Sequence, residues 1–185
     1  MSAWQFCPYC AARLEASDEG GLRRLACHAG CGFVHWDNPA PVLAALVEYQ
    51  GSVVLARNQA WAEGAFGLIT GFLERGEDPV AGVTREVKEE LGLDAVAATL
   101  IGVYPFARKH EVIIAYHVVG RGEITLNEEL AEFRLIAPEK LKAWDFGTGL
   151  AVSDWLAGRA LPCADRVDAL QPPNQPGRSI HHLPE

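Results

Sequence analysis

The chain has 185 residues, and 16 Lys and Arg stand against 24 Asp and Glu, a formal charge of 16 − 24 = −8. Such an acidic chain has no field to gather a nucleic-acid backbone, which argues against a nucleic-acid partner. Apolar residues at 49 % and charged residues at 22 % exclude whole-chain disorder and fit one domain with a small appendage.

Residues 1–36 hold four of the five cysteines. Met1 to Cys7 shows no basic region followed by an apolar one, so no secretory signal is expected and the cytoplasm is the expected location. Cys7-Pro8-Tyr9-Cys10 and Cys27-His28-Ala29-Gly30-Cys31 are separated by 16 residues. Two such knuckles make a tetrahedral Zn²⁺ site when brought together. His28 in place of one cysteine, or two unrelated cysteine pairs, are the alternatives. Cys163 stands alone.

Residues 37–160 alternate between strand and helix patterns. Val42 to Tyr49 and Ser52 to Arg57, joined by Gln50-Gly51, predict a hairpin. The apolar run Pro41 to Val47 is too short to span a bilayer, so no membrane partner is expected. Phe66 to Thr70 predicts a short strand. Asp78 as N-cap and Pro79 at the first position predict a helix to Leu91, stopped by Gly92. Val80, Val83, Val87 and Leu91 share the face expected to dock on a sheet. Val96 to Val103, Val112 to Val119 and Glu132 to Ile136 predict strands, and Pro138 to Trp144 and Thr148 to Leu156 helices. The fold class expected is α/β, a mixed sheet covered by helices. Residues 161–185, with five prolines, predict a flexible tail, where His181-His182 are incidental.

The helix carries the chemistry. Glu86, Glu89 and Glu90 fall at i, i+3 and i+4, so three like charges project from one patch. Each i,i+4 repulsion costs an isolated helix roughly 0.2–0.5 kcal/mol. A hard divalent cation with oxygen ligands offsets that. A solvated acidic face is the alternative for three glutamates taken alone. They are not alone: from Gly71 to Leu93 the chain reads G-x5-E-x7-R-E-V-x-E-E-x-G-L, met at every fixed position.

This segment resembles the Nudix box, the signature of hydrolases acting on nucleoside diphosphates linked to another moiety. The resemblance implies a Nudix α/β/α sandwich. It implies that Glu86, Glu89 and Glu90, with the Gly71 carbonyl, hold Mg²⁺ or Mn²⁺ and do the catalytic work. It also implies that Arg85 is structural and pairs with Glu77. A cysteine ribbon ahead of such a domain resembles the NADH pyrophosphatase branch and related FAD and ADP-ribose hydrolases. So does Gly71-Phe72-Leu73-Glu74-Arg75-Gly76-Glu77, where Thr70 replaces that branch's alanine, and so does Phe33 to Pro39 as the linker. The branch's S-Q-P-W-P-F-P motif is reduced here to Val103-Tyr104-Pro105-Phe106-Ala107-Arg108-Lys109, which puts NADH preference in doubt.

Arg57, Phe106 and Arg108 are the expected substrate contacts, with a surface arginine the alternative for Arg57 and a solvated turn the alternative for Arg108. Trp61 either stacks on a base or plugs the ribbon interface. Glu89, or one of Glu128, Glu129 and Glu132, is the expected general base. The reading is a zinc ribbon over residues 1–36 and a Nudix domain over 37–160. It hydrolyses the pyrophosphate bond of NAD(H), FAD or ADP-ribose, as a homodimer. A non-catalytic sensor of ADP-ribose or NAD and an RNA-decapping enzyme are the alternatives.

Overall fold

The computed structural model describes residues 4–160, and the expected tail, with Cys163, lies outside them. The chain divides into two compact units at Ala40/Pro41.

The first unit is a three-stranded antiparallel sheet: β1 (Glu15–Glu19), β2 (Leu22–Ala26) and β3 (Val34–His35). Gly20 and Gly21 make its hairpin turn with φ of 66° and 82°, values that a side chain would strain. Its core is only Cys7, Leu14 and Cys27, with Leu25 and Phe33 packed beside them. β1 and β2 carry Glu15, Asp18, Glu19, Arg23 and Arg24 rather than an apolar period, so no strand is expected there from the sequence.

The second unit is built on a six-stranded sheet in the order β7-β8-β4-β5-β9, with β6 paired to β4. Its strands are β4 (Ala40–Tyr49), β5 (Ser52–Asn58), β6 (Ile69–Phe72), β7 (Asp94–Phe106), β8 (Glu111–Arg121) and β9 (Leu130–Ile136). Helix α1 (Pro79–Leu91) follows β6, and α2 (Gly149–Ala160) closes the unit. The unbroken apolar run in β4 follows from burial on both faces. Leu43, Ala45 and Val47 join Val83, Val87 and Leu91 of α1 in one core. Ala44 and Leu46 point the other way, into a core with Ala151, Val152 and Trp155 of α2. A strand buried on both faces loses period-two alternation. The result is the expected α/β/α sandwich.

Four expectations need correction. The short strand is Ile69–Phe72, not Phe66 to Thr70; its register on β4 places Ile69 opposite Ala45 and Phe72 opposite Val42. Pro138 to Trp144 is not a helix: a single turn at Pro138–Lys140 ends where Leu141 enters the α2-side core. Val80 is 43 % exposed, and Gly82 takes the close approach to the sheet, where a Cβ would come 2.5 Å from Leu43 Cδ1. The strand expected at Val96 to Val103 runs on to Phe106, which carries its end toward the site.

Candidate active site

Local chemistry sets α1. Asp78 accepts the N–H groups of Val80 at 2.9 Å and Ala81 at 3.1 Å, and Gly92 ends the helix in the left-handed region at φ 71°. With Val83, Val87 and Leu91 docked, the three glutamates are graded in burial. Glu89 is exposed, Glu86 keeps 12 % of its side chain exposed, and Glu90 is buried at 8 %. Burial, then the charges of Glu86, Glu129 and Glu89, push the Glu90 carboxyl up to about 8. Burial also raises Glu86, against the opposing pull of Arg85.

Arg85 organises this face. Its Nε and Nη2 grip Glu77 at 2.8 and 3.0 Å, and its Nη1 donates to Glu86 at 2.7 Å and Glu89 at 3.0 Å. The guanidinium holds Glu77 well below the usual carboxylate range, at about 2. Glu77 Oε2 also accepts the Glu74 N–H at 3.0 Å, which fixes the loop before the helix. Gly71 has a role beyond its carbonyl: a Cβ there would overlap the Glu86 carboxylate. Only glycine lets that carboxylate lie against β6.

A fourth carboxylate comes from the segment before β9. Thr125 N–H donates to the free Leu91 carbonyl at 2.9 Å, and Asn127 N–H approaches the Glu90 carbonyl at 3.2 Å, so this segment closes the end of α1. The Asn127 side chain then accepts the N–H groups of Glu129 and Leu130 at 3.1 and 3.3 Å. The sequence leaves Glu128, Glu129 and Glu132 open as a base; their surroundings differ. Glu132 pairs with Arg57 at 2.7 Å. Glu128 is held through its carbonyl by Gln59 Nε2 at 2.7 Å. Glu129 lines a small cavity beside Glu90.

All of this opens on a cleft of about 990 Å³. Glu86, Glu89, Glu90 and Glu129 line one end, and Trp61, Phe66, Phe72, Phe106, Trp144 and Phe146 supply the aromatic lining. Of the three expected substrate contacts, Phe106 lines the cleft. Arg57 is drawn off to Glu132 and to the Trp61 carbonyl at 3.4 Å. Arg108 stands over the Phe146 ring at 5.6 Å, while its neighbour Lys109 lines the cleft. Trp61 faces the cleft and packs 3.1 Å from where a Gly67 Cβ would be. Phe66, Trp144 and Phe146 carry no motif and are missed by sequence reasoning; unassigned aromatics beside glycines, at Phe66-Gly67 and Phe146-Gly147, are their only signal.

In the first unit the Sγ atoms of Cys7, Cys10, Cys27 and Cys31 lie within 4.8 Å of one another, and His28 is not among them. Cys7 and Cys10 approach Cys31 and Cys27 at 3.4 Å each. That is too far for a disulfide and near the edge of about 3.8 Å of a tetrahedron with Zn–S of about 2.3 Å. The donor set and spacing fit Zn²⁺. The acidic end fits a hard divalent cation: Glu90 is buried beside the charges of Glu86, Glu129 and Glu89, with no hydrogen-bond donor on its carboxylate among the described residues.

Residues 37–153 match the family described as NUDIX domain. The chain belongs to the Nudix family. Similar curated relatives include proteins named NAD-capped RNA hydrolase NudC. The one from Stutzerimonas stutzeri is 30 % identical over 145 residues, covering 77 % of this chain and 51 % of the relative. The one from Pseudomonas aeruginosa is 30 % identical over 129 residues, covering 69 % and 45 %. This Nudix chain thus spans about half the length of the curated relatives it matches. A NUDIX hydrolase from Nitrosomonas europaea shares the fold, with a TM-score of 0.65 at 24 % identity, covering 75 % of this chain and 80 % of that one. An ADP-ribose pyrophosphatase from Streptococcus suis shares it with a TM-score of 0.55 at 18 % identity, covering 67 % and 94 %. No helix among the described residues is long and apolar enough to cross a membrane.

Proposed function

We propose that this Nudix protein hydrolyses the pyrophosphate bond of a nucleoside diphosphate linked to another moiety, with NAD(H), FAD and ADP-ribose as the substrate class. The observation that carries this reading is the clustering of Glu86, Glu89, Glu90 and Glu129 in a cleft that six aromatic side chains also line. Glu86, Glu89, Glu90 and the Gly71 carbonyl hold Mg²⁺ or Mn²⁺. Bound there, the cation neutralises the pyrophosphate and lowers the pKa of a water. Arg85 orients Glu86 and Glu89, and Glu77 fixes Arg85. A carboxylate oxygen of Glu129, which has no ion-pair partner among the described residues, accepts the proton of the attacking water. The aromatic rings hold the nucleoside so that the phosphates reach the acidic end.

The test is a hydrolysis screen over NADH, NAD, FAD, ADP-ribose and nucleotide sugars with product identification. AMP as a product from the first four supports the reading. Release of inorganic phosphate alone, or conversion of nucleoside triphosphates far faster than any dinucleotide, contradicts it.

The name of the relatives favours a second reading, in which the same bond is cut in an NAD cap at an RNA 5′ end. Comparing kcat/KM on a capped transcript with that on free NAD distinguishes the two. The first unit, over residues 1–36 as the sequence divides it, binds one structural Zn²⁺ through its four thiolates. Elemental analysis well below one zinc per chain contradicts this. A homodimer is the expected assembly, and sedimentation equilibrium giving a monomer at tens of micromolar removes it.

A further inference from the structure

The ladder between β5 and β9 is irregular at one point. Arg57 stands opposite Glu132, yet the next residue, Asn58, stands opposite Leu130, which leaves Ala131 as the extra residue of a bulge. A one-residue slip turns every following side chain to the other face of a sheet. Leu130 accordingly joins Ala56 and Val87 in the core under α1, and Glu129 lines the small cavity beside Glu90. With the ladder unbroken, Asn58 would meet Ala131, and Leu130 would lie on the opposite face. The Arg57–Glu132 pair at 2.7 Å closes the regular side of the bulge. On its other side, both peptide groups that flank the Glu129 Cα are fully hydrogen-bonded. Gln59 donates from its backbone N–H to the Glu129 carbonyl and from its Nε2 to the Glu128 carbonyl, each at 2.7 Å. Asn127 Oδ1 accepts the N–H groups of Glu129 and Leu130 at 3.1 and 3.3 Å. An Asn side chain satisfies nearby N–H groups in many turns. Here the carbonyls of the same two peptides are held as well, from a different strand.

We infer that Gln59 and Asn127 are positioning residues for Glu129, and that the bulge at Ala131 aims its carboxylate at the acidic end of the cleft. This rests on the pyrophosphatase reading, with Glu129 as the acceptor of the water's proton. A base of this kind works only within hydrogen-bond reach of the water, about 2.6–3.2 Å. Glu129 stands on a loop and has a long side chain, so the backbone beneath it has to be fixed from outside. Misplacement by about 1 Å can cost about a hundredfold in rate. Neither Gln59 nor Asn127 lines the cleft or the small cavity, so both act through Glu129 and not on the substrate.

The test is a double-mutant cycle on ADP-ribose hydrolysis with Mg²⁺, run beside amide hydrogen exchange of the metal-free protein. Gln59→Met keeps the bulk and removes the Nε2 donor, and Asn127→Ala removes the shared acceptor. Each is expected to lower kcat about tenfold with KM within about twofold. Asn127→Asp keeps the acceptor oxygen and recovers most of the loss. In a Glu129→Gln background the first two substitutions lower the residual kcat by less than about twofold, because the group they position is already gone. In the intact protein the Glu129 and Leu130 amides exchange slowly, and Asn127→Ala speeds both about tenfold or more. Unchanged kcat in both single variants, or losses that multiply in full in the Glu129→Gln background, overturns the positioning role. Unprotected Glu129 and Leu130 amides in the intact protein overturn it too, whether or not dinucleotides are cut. Protected amides in a protein that cuts no dinucleotide overturn the reaction instead, and with it the role of Glu129 as base.

Discussion

The acidic end of the cleft draws three of its four carboxylates from one helix, at positions 86, 89 and 90. The aromatic lining is gathered from four separate stretches: the loop with Trp61 and Phe66, Phe72 on β6, Phe106 at the end of β7, and the loop with Trp144 and Phe146. One is set by helical spacing and survives as a motif. The other exists only after β5, β7 and the chain beyond β9 have packed, so no spacing records it. Chemistry common to a family suits the first kind of construction, and substrate choice, which varies by loop, suits the second.

That division can be broken by variants that fail to respect it. The largest effect is expected from Glu89→Gln and Glu90→Gln, which remove one charge each at constant size. Each should lower kcat by about a hundredfold or more, with thermal unfolding in metal-free buffer little changed for Glu89→Gln. Full activity in either would make the acidic end a mere surface. Phe106→Ala or Trp144→Ala should act on the other term. Loss of one stacking ring, worth about 1–3 kcal/mol, should raise KM about tenfold with kcat within a few-fold. A fall in kcat as large as that of the glutamate variants would merge the two ends into one functional unit.

Arg85→Ala tests whether the acidic end is also structural. Removing the partner of Glu77, Glu86 and Glu89 leaves carboxylates facing one another, and should cost about 1–3 kcal/mol of stability. Chemical denaturation would check it, and an unchanged midpoint would reduce Arg85 to a surface cation.

The smallest effect is a pH dependence. The Glu90 carboxyl is raised from 4.5 to about 8, so the folded state holds a proton that the unfolded state releases. Its contribution is complete below about pH 4.5 and is lost as pH rises through about 8. Glu77, lowered to about 2, acts oppositely: its contribution is present above pH 4.5 and lost as pH falls toward 2. In metal-free buffer Tm should therefore decline between pH 5 and 8, and Glu90→Gln or saturating Mg²⁺ should flatten the decline.

Legibility follows the range of the interactions. The caps Asp78 and Gly92, the core positions Val83, Val87 and Leu91, and the glutamate patch are all written within one helix, and all are found where expected. Gly71 could be assigned a carbonyl from the sequence, but its closeness to Glu86 needs β6 laid against α1. Glu129 was one of three equal choices until Thr125 and Asn127 closed the end of α1 and brought it beside Glu90. The segment after Pro138 misled because its propensity is helical for one turn only. Leu141 is then pulled into the core, and Trp144 packs where a Cβ on Gly149 would collide with it. The strands of the first unit were invisible because its two knuckles, rather than an apolar face, surround its small core.

In the proposed reaction water attacks a phosphorus at the acidic end while the nucleoside lies along the aromatic wall. Hydrolysis of ADP-ribose in ¹⁸O-labelled water with Mg²⁺, read by mass spectrometry of the products, tests it most directly. AMP and ribose 5-phosphate are the expected products, with one ¹⁸O on the phosphate of one of them. Label on the ribose carbon, or release of ADP and free ribose, would place the broken bond elsewhere and contradict it.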